Sequence, residues 1–224
     1  MDIKNQPSLN YENKSNKYYN KLIPEMLSFL PDTVSRVLVV GCGSGIFGKA
    51  VKENTGTEVW GVEPMTAFAE DAEQILDRVF TGTLQNVIDE IPDKYFDIVY
   101  FNDVLEHMID PYTTLALTKH KLSPNGKVIS SIPNIRYHNT FLKLLFKKEW
   151  TYGDSGDLDR SHLRFFTKKS IASMFKDAGY SVEKNVGINK SKSIRPLLFN
   201  LPILFTAMDI LYPQYATVAV KKGI

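Results

Sequence analysis

The residues of this chain best suited to chemistry are a glycine run, a carboxylate about 20 residues beyond it and four histidines. In "VLVVGCGSGIFG", Gly41, Gly43 and Gly45 spell G-x-G-x-G, while Gly43, Gly45 and Gly48 spell G-x-G-x-x-G. Either pattern follows an apolar β-type run, where a side chain on the turn would block close approach of a nucleotide. The first register ends the strand at Gly41 and opens a turn suited to the amino-acid tail of S-adenosylmethionine. It also sets Ile46 with Ala50 and Phe47 with Val51 at helical spacing, able to pack a helix on the sheet. The second register suits a dinucleotide, but the strand must then run through Cys42 and a second half-domain must hold the nicotinamide. The chain has little room for one. On the glycines alone both registers stay open.

"EVWGVEP" carries the carboxylate, placing Glu63 at the tip of a second strand. There it can accept hydrogen bonds from both hydroxyls of a ribose, each worth roughly 1.5 to 3 kcal/mol when charge-assisted. A 2'-phosphate would meet like charge, which argues against NADP.

The elements that must position these groups are legible as alternation. Short β-rich runs, "RVLVVG", "EVWGVEP", "RVFTG", "FDIVYFN", "KVISSIPN", "YSVEKNVG" and "ATVAVKK", are separated by helical patterns. Such alternation predicts a doubly wound α/β sheet of seven strands, mostly parallel, with helices on both faces. Helices are expected at Phe47–Asn54, Ala67–Leu76, Pro111–Leu122 and Lys168–Ala178, the last with Thr167 as its N-cap and Gly179 as its stop. "LSPNGK" reads as a turn before the fifth strand. The interval Arg136–Phe166 is too long for an ordinary connection and is expected to form a binding loop for the acceptor. Residues 1–33 form a leader whose Tyr11, Tyr18 and Tyr19 could close as a lid or pack as a surface helix.

Composition bounds the rest. With 224 residues, 43% hydrophobic and 23% charged, the chain is expected to form one domain, divided into the leader (1–33), a nucleotide-binding core (34–134), the insertion (135–166) and a C-terminal helix with strands (167–224). A net charge of +2 is too small to argue for nucleic acid or an anionic membrane by itself, and no nucleic acid partner is expected. The single cysteine, Cys42, excludes an internal disulfide and suits a reducing, cytoplasmic setting; no metal site is expected. "PLLFNLPILFTAMDILY", residues 196–212, carries Pro202 and Asp209 and falls short of the roughly 20 apolar residues of a spanning helix. It reads as a buried or groove-lining helix broken at its proline, or as an interfacial helix touching a membrane surface.

Taken in order, "VLVVGCGSG", "VWGVEP", "FDIVYFNDVLEHMIDP", "LSPNGKVISSIPN", "SHLRFFTKKSIASMFKDAGY" and "TVAVKK" resemble class I S-adenosylmethionine-dependent methyltransferases. In detail the chain resembles small enzymes of that fold associated with polysaccharide and O-antigen biosynthesis, themselves similar to ubiquinone-type O-methyltransferases, and the resemblance implies a Rossmann-like sheet, mostly parallel with an antiparallel last strand. The likeness covers Val34 to Gly179 well and the two ends loosely. It implies that Gly41, Cys42, Gly43 and Gly45 wrap the methionine tail of S-adenosylmethionine, that Glu63 holds the ribose, and that Pro64 and Met65 lie against the adenine. Asn102, Asp103 and Val104 would pass the methionyl end. Where relatives often place an acid for the adenine amino group, this chain has Thr83, so the backbone of Leu84 is the expected substitute.

Methyl transfer to a hydroxyl needs alignment, worth roughly 7 to 11 kcal/mol of the barrier, and a base, worth about 10² to 10⁴ in rate. His162 in "SHLRFFT" is the first candidate, because an extended segment would set His162, Arg164 and Phe166 on one face. The alternative is a structural histidine bonded to the carboxylate of Asp157 or Asp159. His107 in "DVLEHM" is the second candidate; with Asp103 and Glu106 it resembles a cluster that binds a divalent cation in some quinone methyltransferases. His138 is an outside candidate and His120 reads as solvent-facing. Trp150 and Tyr152 could stack on a sugar or anchor a lid. Three functions follow: O-methylation of a sugar hydroxyl in surface-polysaccharide synthesis, on a small-molecule, sugar-nucleotide or lipid-linked acceptor; O-methylation of a quinone or other aromatic hydroxyl; or donor binding without catalysis. Base methylation of nucleic acid is disfavoured, since "FNDVLEH" replaces a proline-containing amine-gripping loop. Oligomeric state is not legible.

Overall fold

The first strand, Arg36–Val40 (β1), shows why this sequence makes a sheet covered on both faces. Val37 and Val39 enter one apolar cluster with Phe47, Val51, Val59, Ile98 and Tyr100. Leu38 and Val40 enter the other, with Trp60, Val62, Val99 and Phe101. Because successive side chains point to opposite faces, an unbroken apolar run belongs only in a strand buried twice.

The structure, a computed structural model, describes residues 22–222. The lid assigned to Tyr11, Tyr18 and Tyr19 lies outside them. After β1 come Glu58–Glu63 (β2), Arg78–Thr81 (β3), Phe96–Asn102 (β4), Leu122–Pro133 (β5), Tyr180–Ile188 (β6) and Gln214–Lys221 (β7), ordered β3-β2-β1-β4-β5-β7-β6 in one sheet. β1 to β5 pair in parallel, and β7 runs antiparallel to both β5 and β6. This is the expected Rossmann-like fold. Register aligns the strand ends: Val40 sits beside Val62 and Phe101, and Asn102 beside Ser131. The carboxyl ends of β1, β2, β4 and β5 thus form one edge.

Eight α-helical segments are described: Pro24–Leu27 (α1), Ile46–Thr55 (α2), Thr66–Glu73 (α3), Leu84–Val87 (α4), Pro111–Lys121 (α5), His138–Leu142 (α6), Lys168–Asp177 (α7) and Arg195–Asn200 (α8). α5 starts on Pro111 behind an Asp110 cap whose carboxylate accepts the Thr113 N–H. α7 starts on a capping box in which Thr167 and Ser170 satisfy each other's backbone N–H. Helix α3 stops three residues before the expected Leu76, which instead turns back to pack against Gly45, Gly48 and Gly61.

Two expectations are corrected here. "LSPNGK" is not a turn ahead of β5 but a bulge within it: Phe96 pairs with Leu122 and Ile98 with Lys127, so residues 123–126 loop out. The insertion is closed at its base by a bridge between Asn134 and Phe166, with α6 and one turn of π-helix, Lys143–Lys147, at its start. The segment 196–212 is interrupted at its proline, as expected, but it is only partly buried. It breaks into α8 and two short 3-10 turns, burying Pro196, Asn200, Ala207, Ile210 and Leu211 while Leu198, Leu201 and Leu204 stay exposed. Among the described residues no helix is long and apolar enough to cross a membrane.

Candidate active site

Gly41, Gly43 and Gly45 all hold left-handed backbone, at φ 69°, 54° and 84°, between the end of β1 and the start of α2. A Cβ at Gly41 would stand 2.6 Å from Val104 Cγ2, so glycine lets the turn lie against the loop after β4. Gly48 lies inside α2 and serves a different purpose, since a Cβ there would meet Leu76 Cδ2 at 2.6 Å. The strand ends at Val40, which is the G-x-G-x-G register.

Cys42 takes part in the turn through its backbone. Its N–H donates to Val62 O at 3.1 Å, its carbonyl accepts the Gly45 N–H at 3.0 Å, and its thiol is buried where a Cβ on Gly61 would stand 2.6 Å from Sγ. Burial, with the Glu63 charge second, pushes the thiol pKa far up. Cys42 therefore builds the turn and presents no side chain to a ligand.

Glu63 is buried at the tip of β2, its Oε2 accepting the Gly43 N–H at 2.9 Å and its Oε1 the Met65 N–H at 3.0 Å. Burial raises its pKa while these two N–H groups oppose the shift. Each oxygen keeps a second lone pair for a hydroxyl. Pro64 is exposed and Met65 half-buried beside it. Thr83 precedes α4 without a side-chain cap bond, and the Leu84 side chain is buried in the core, leaving only its backbone for an adenine edge.

At the end of β4, Asn102 has both amide atoms buried without a partner, a cost that a polar ligand would relieve. Asp103 follows at φ 54°, a conformation uncommon outside glycine. Its N–H donates to Ser131 O and Oγ, both at 3.0 Å, and its carboxylate accepts from Ser131 Oγ at 2.7 Å and from Gln214 Nε2 at 2.7 and 2.9 Å.

A 3-10 turn, Leu105–His107, then brings His107 to the insertion. Glu106 O accepts the N–H groups of both Leu163 and Arg164, at 2.9 and 3.0 Å, fastening the loop there. The rings of His107 and His162 lie 4.7 Å apart at 69°. His107 Nδ1 is 3.0 Å from Ser161 O, and His162 Nδ1 is 3.2 Å from Asp157 O. A carbonyl only accepts, so each Nδ1 carries the proton and each Nε2 is the basic nitrogen. Burial, then the neighbouring His162, lowers the His107 pKa to about 4. The Asp157 carboxyl, bonded by Thr140 Oγ1 at 2.9 Å, is pushed up to about 6 by burial.

The expected single face of His162, Arg164 and Phe166 does not form. The shared Glu106 carbonyl turns the chain, sending the Arg164 guanidinium out to Ile109 O and Phe166 into the core. His162 meets the Asp157 backbone carbonyl through Nδ1, and Asp159 turns its carboxylate to the Ser161 N–H and hydroxyl, at 2.9 and 2.7 Å. The acid–histidine cluster is also rearranged: ligand atoms of Glu106, His107 and His162 lie within 4.8 Å of one another, with His162 where Asp103 was expected. An open cleft of about 390 Å³ is lined by Tyr152, Arg160 and His162. Trp150 and Tyr152 pack on Phe165 at ring distances of 5.4 and 6.2 Å and remain partly exposed. His138 is buried on Ser191 Oγ at 3.0 Å, and His120 is exposed as expected. Sequence reasoning missed Ser131, Gln214 and the carbonyls of Asp157 and Ser161, none of which carries a local signal.

A family model for a methyltransferase domain matches residues 11–185. The chain is 25% identical over 162 residues to a ubiquinone biosynthesis O-methyltransferase of Aeromonas salmonicida, covering 69% of this chain and 66% of that protein. It is 27% identical over 195 residues to the enzyme of that name from Maricaulis maris, covering 77% and 75%. Among solved structures, a SAM dependent methyltransferase from Archaeoglobus fulgidus superposes with a TM-score of 0.65 at 21% identity, covering 93% of this chain and 95% of the other. A possible histamine N-methyltransferase from Thermotoga maritima gives 0.63 at 20% identity, covering 88% and 86%. Fold and family agree, and the chain belongs to the methyltransferase-domain family, with the sheet of the S-adenosylmethionine-dependent enzymes.

Proposed function

We propose that this protein methylates a hydroxyl oxygen of a small aromatic acceptor, with S-adenosylmethionine as methyl donor. The observation that carries the reading is His162: it lines the open cleft, and the Asp157 carbonyl at its Nδ1 fixes the ring so that the imidazole can serve as base toward an acceptor hydroxyl. The names of the curated relatives support a quinone-type ring over a sugar. The aromatic wall of Trp150, Tyr152 and Phe165 suits such a ring.

The residues present fit the methyl donor. The turn at Gly41, Gly43 and Gly45 admits a ligand where side chains would not, Glu63 offers oxygens to a ribose diol, and Asn102 has an amide to satisfy. Asp103 and Val104 shape the methionyl end, and Pro64, Met65, Thr83 and Leu84 border the adenine. S-adenosylmethionine supplies an electrophilic methyl group on a cationic sulfonium. His162 orients the attacking oxygen and removes its proton, and neutral His107 packs against that imidazole and holds its place.

A sugar acceptor is the second reading, carried by Arg160 at the cleft, where a guanidinium can grip the phosphate of a nucleotide-linked sugar. One experiment separates them. Labelled S-adenosylmethionine is supplied with catechol-type phenols or with sugar nucleotides, and S-adenosylhomocysteine is followed. Methylated phenol is expected; label only in the sugar fraction transfers the assignment, and donor retention without turnover on any acceptor leaves a binding subunit.

A further inference from the structure

The surface that the proposed chemistry leaves unused is formed by two segments distant in sequence. The exposed Leu144, Leu145 and Phe146 follow α6 in the π-helical turn, and the exposed Leu198, Leu201 and Leu204 lie in and after α8. The segments meet where the rings of Phe141 and Phe199 touch at 5.6 Å, and they are braced by the Arg136–Asp209 ion pair and the His138–Ser191 hydrogen bond. Phe146 is 70% exposed and Leu204 84%. Leu204 and Phe205 both hold left-handed backbone, at φ 51° and 58°, a conformation that bulky residues avoid. Water alone gives a chain no reason to hold leucines and a phenylalanine outward on a strained turn.

Charge names the occupant. Lys143, Lys147, Lys148, Lys190, Lys192 and Arg195 are exposed in the same two segments, against one exposed acid, Glu149. Asp209 faces Arg136 and is already neutralised. Apolar side chains bordered by cations match a bilayer with anionic headgroups, where the apolar groups enter the acyl boundary and the lysines stay among phosphates. A second copy of the chain would set these cations against each other. We infer that residues 143–148 and 190–205 form a docking surface for an anionic membrane, held at the interface without spanning it. The inference does not depend on the identity of the acceptor.

The test is co-sedimentation of the full chain with vesicles of phosphatidylcholine alone and vesicles containing about 30% phosphatidylglycerol. Affinity for the anionic vesicles is expected to be at least about tenfold higher, and to fall about tenfold in roughly 0.5 M NaCl. Leu204→Asp and Phe146→Ser should each weaken binding, while thermal unfolding and S-adenosylmethionine affinity stay as in the parent chain. A further variant, Lys190→Gln with Lys192→Gln, should lose anionic preference without touching an apolar group. Equal binding to both vesicles, or none to either, overturns the inference. So does a stable dimer, seen by sedimentation velocity, that Leu204→Asp dissociates. Failure here would leave methyl transfer to soluble phenols unaffected, so the two readings fall separately.

Discussion

Gln214, the first residue of β7, donates from one amide nitrogen to both carboxylate oxygens of Asp103, at 2.7 and 2.9 Å, across 111 positions of sequence. Its own Oε1 accepts from Asn189 Nδ2 at 2.8 Å, tying the end of β6 to the same point. The left-handed Asp103 is thereby held by three strand ends, with Ser131 supplying the third. This is how the C-terminal strands reach the edge formed by the carboxyl ends of the parallel strands.

Removing that amide should loosen the edge without touching a ligand. Gln214→Ala is expected to weaken S-adenosylmethionine binding about tenfold, or about 1.4 kcal/mol, measured by calorimetry, with Gln214→Glu no better because it opposes one carboxylate with another. Unchanged affinity in both variants would show that Asp103 keeps its conformation unaided.

Glu63 ties Gly43 to Met65, and in the proposed site it also meets the ribose. Glu63→Ala is expected to cost at least about tenfold in donor affinity, about 1.4 kcal/mol. Glu63→Gln retains one accepting oxygen and should fall between. Full affinity in the alanine variant removes Glu63 from the site.

For His162→Ala the expected result is a loss of turnover of about 10² to 10⁴ with donor affinity intact. His107→Gln should lower turnover less, since it acts on His162 and not on the acceptor. If the order is reversed, His107 is the base.

Glu106, His107 and His162 could also hold a cation, and the two uses of His162 exclude each other, because a metal on Nε2 occupies the lone pair that takes the proton. Turnover is therefore expected to survive a chelator. Activity lost with chelator and restored by one divalent ion would replace the general base with a metal-bound acceptor.

Buried His107 and half-buried Asp157 give opposite pH dependences. The His107 pKa falls from 6.5 to about 4 on folding, so the unfolded chain binds that proton more readily between those values; the stability it contributes is present above 6.5 and lost as pH falls through about 4. The Asp157 pKa rises from 3.8 to about 6, so its contribution is present below 3.8 and lost as pH rises through about 6. Asp157→Asn should steepen the loss of melting temperature on acidification below pH 6.5, and His107→Gln should flatten or invert it. Parallel slopes in both variants would show that neither group titrates as its burial implies.

The seven strands, the Thr167 cap and the glycine turn were legible in the amino-acid sequence because each depends on neighbours a few residues away: alternation for strands, a side chain reaching the third N–H of a helix, a left-handed turn that glycine permits. Glu63 was legible because a strand tip beside a glycine turn is a position in a known topology. Tertiary structure alone decided that His162 stands against His107 rather than beside Arg164, that Asp103 turns to Gln214, and that Leu204 faces outward instead of lining a groove. Those outcomes depend on which strand ends become neighbours and on where the insertion is pinned, here by one Glu106 carbonyl shared between two N–H groups. Such contacts join residues tens of positions apart, and a pattern confined to a few neighbouring residues carries no record of them.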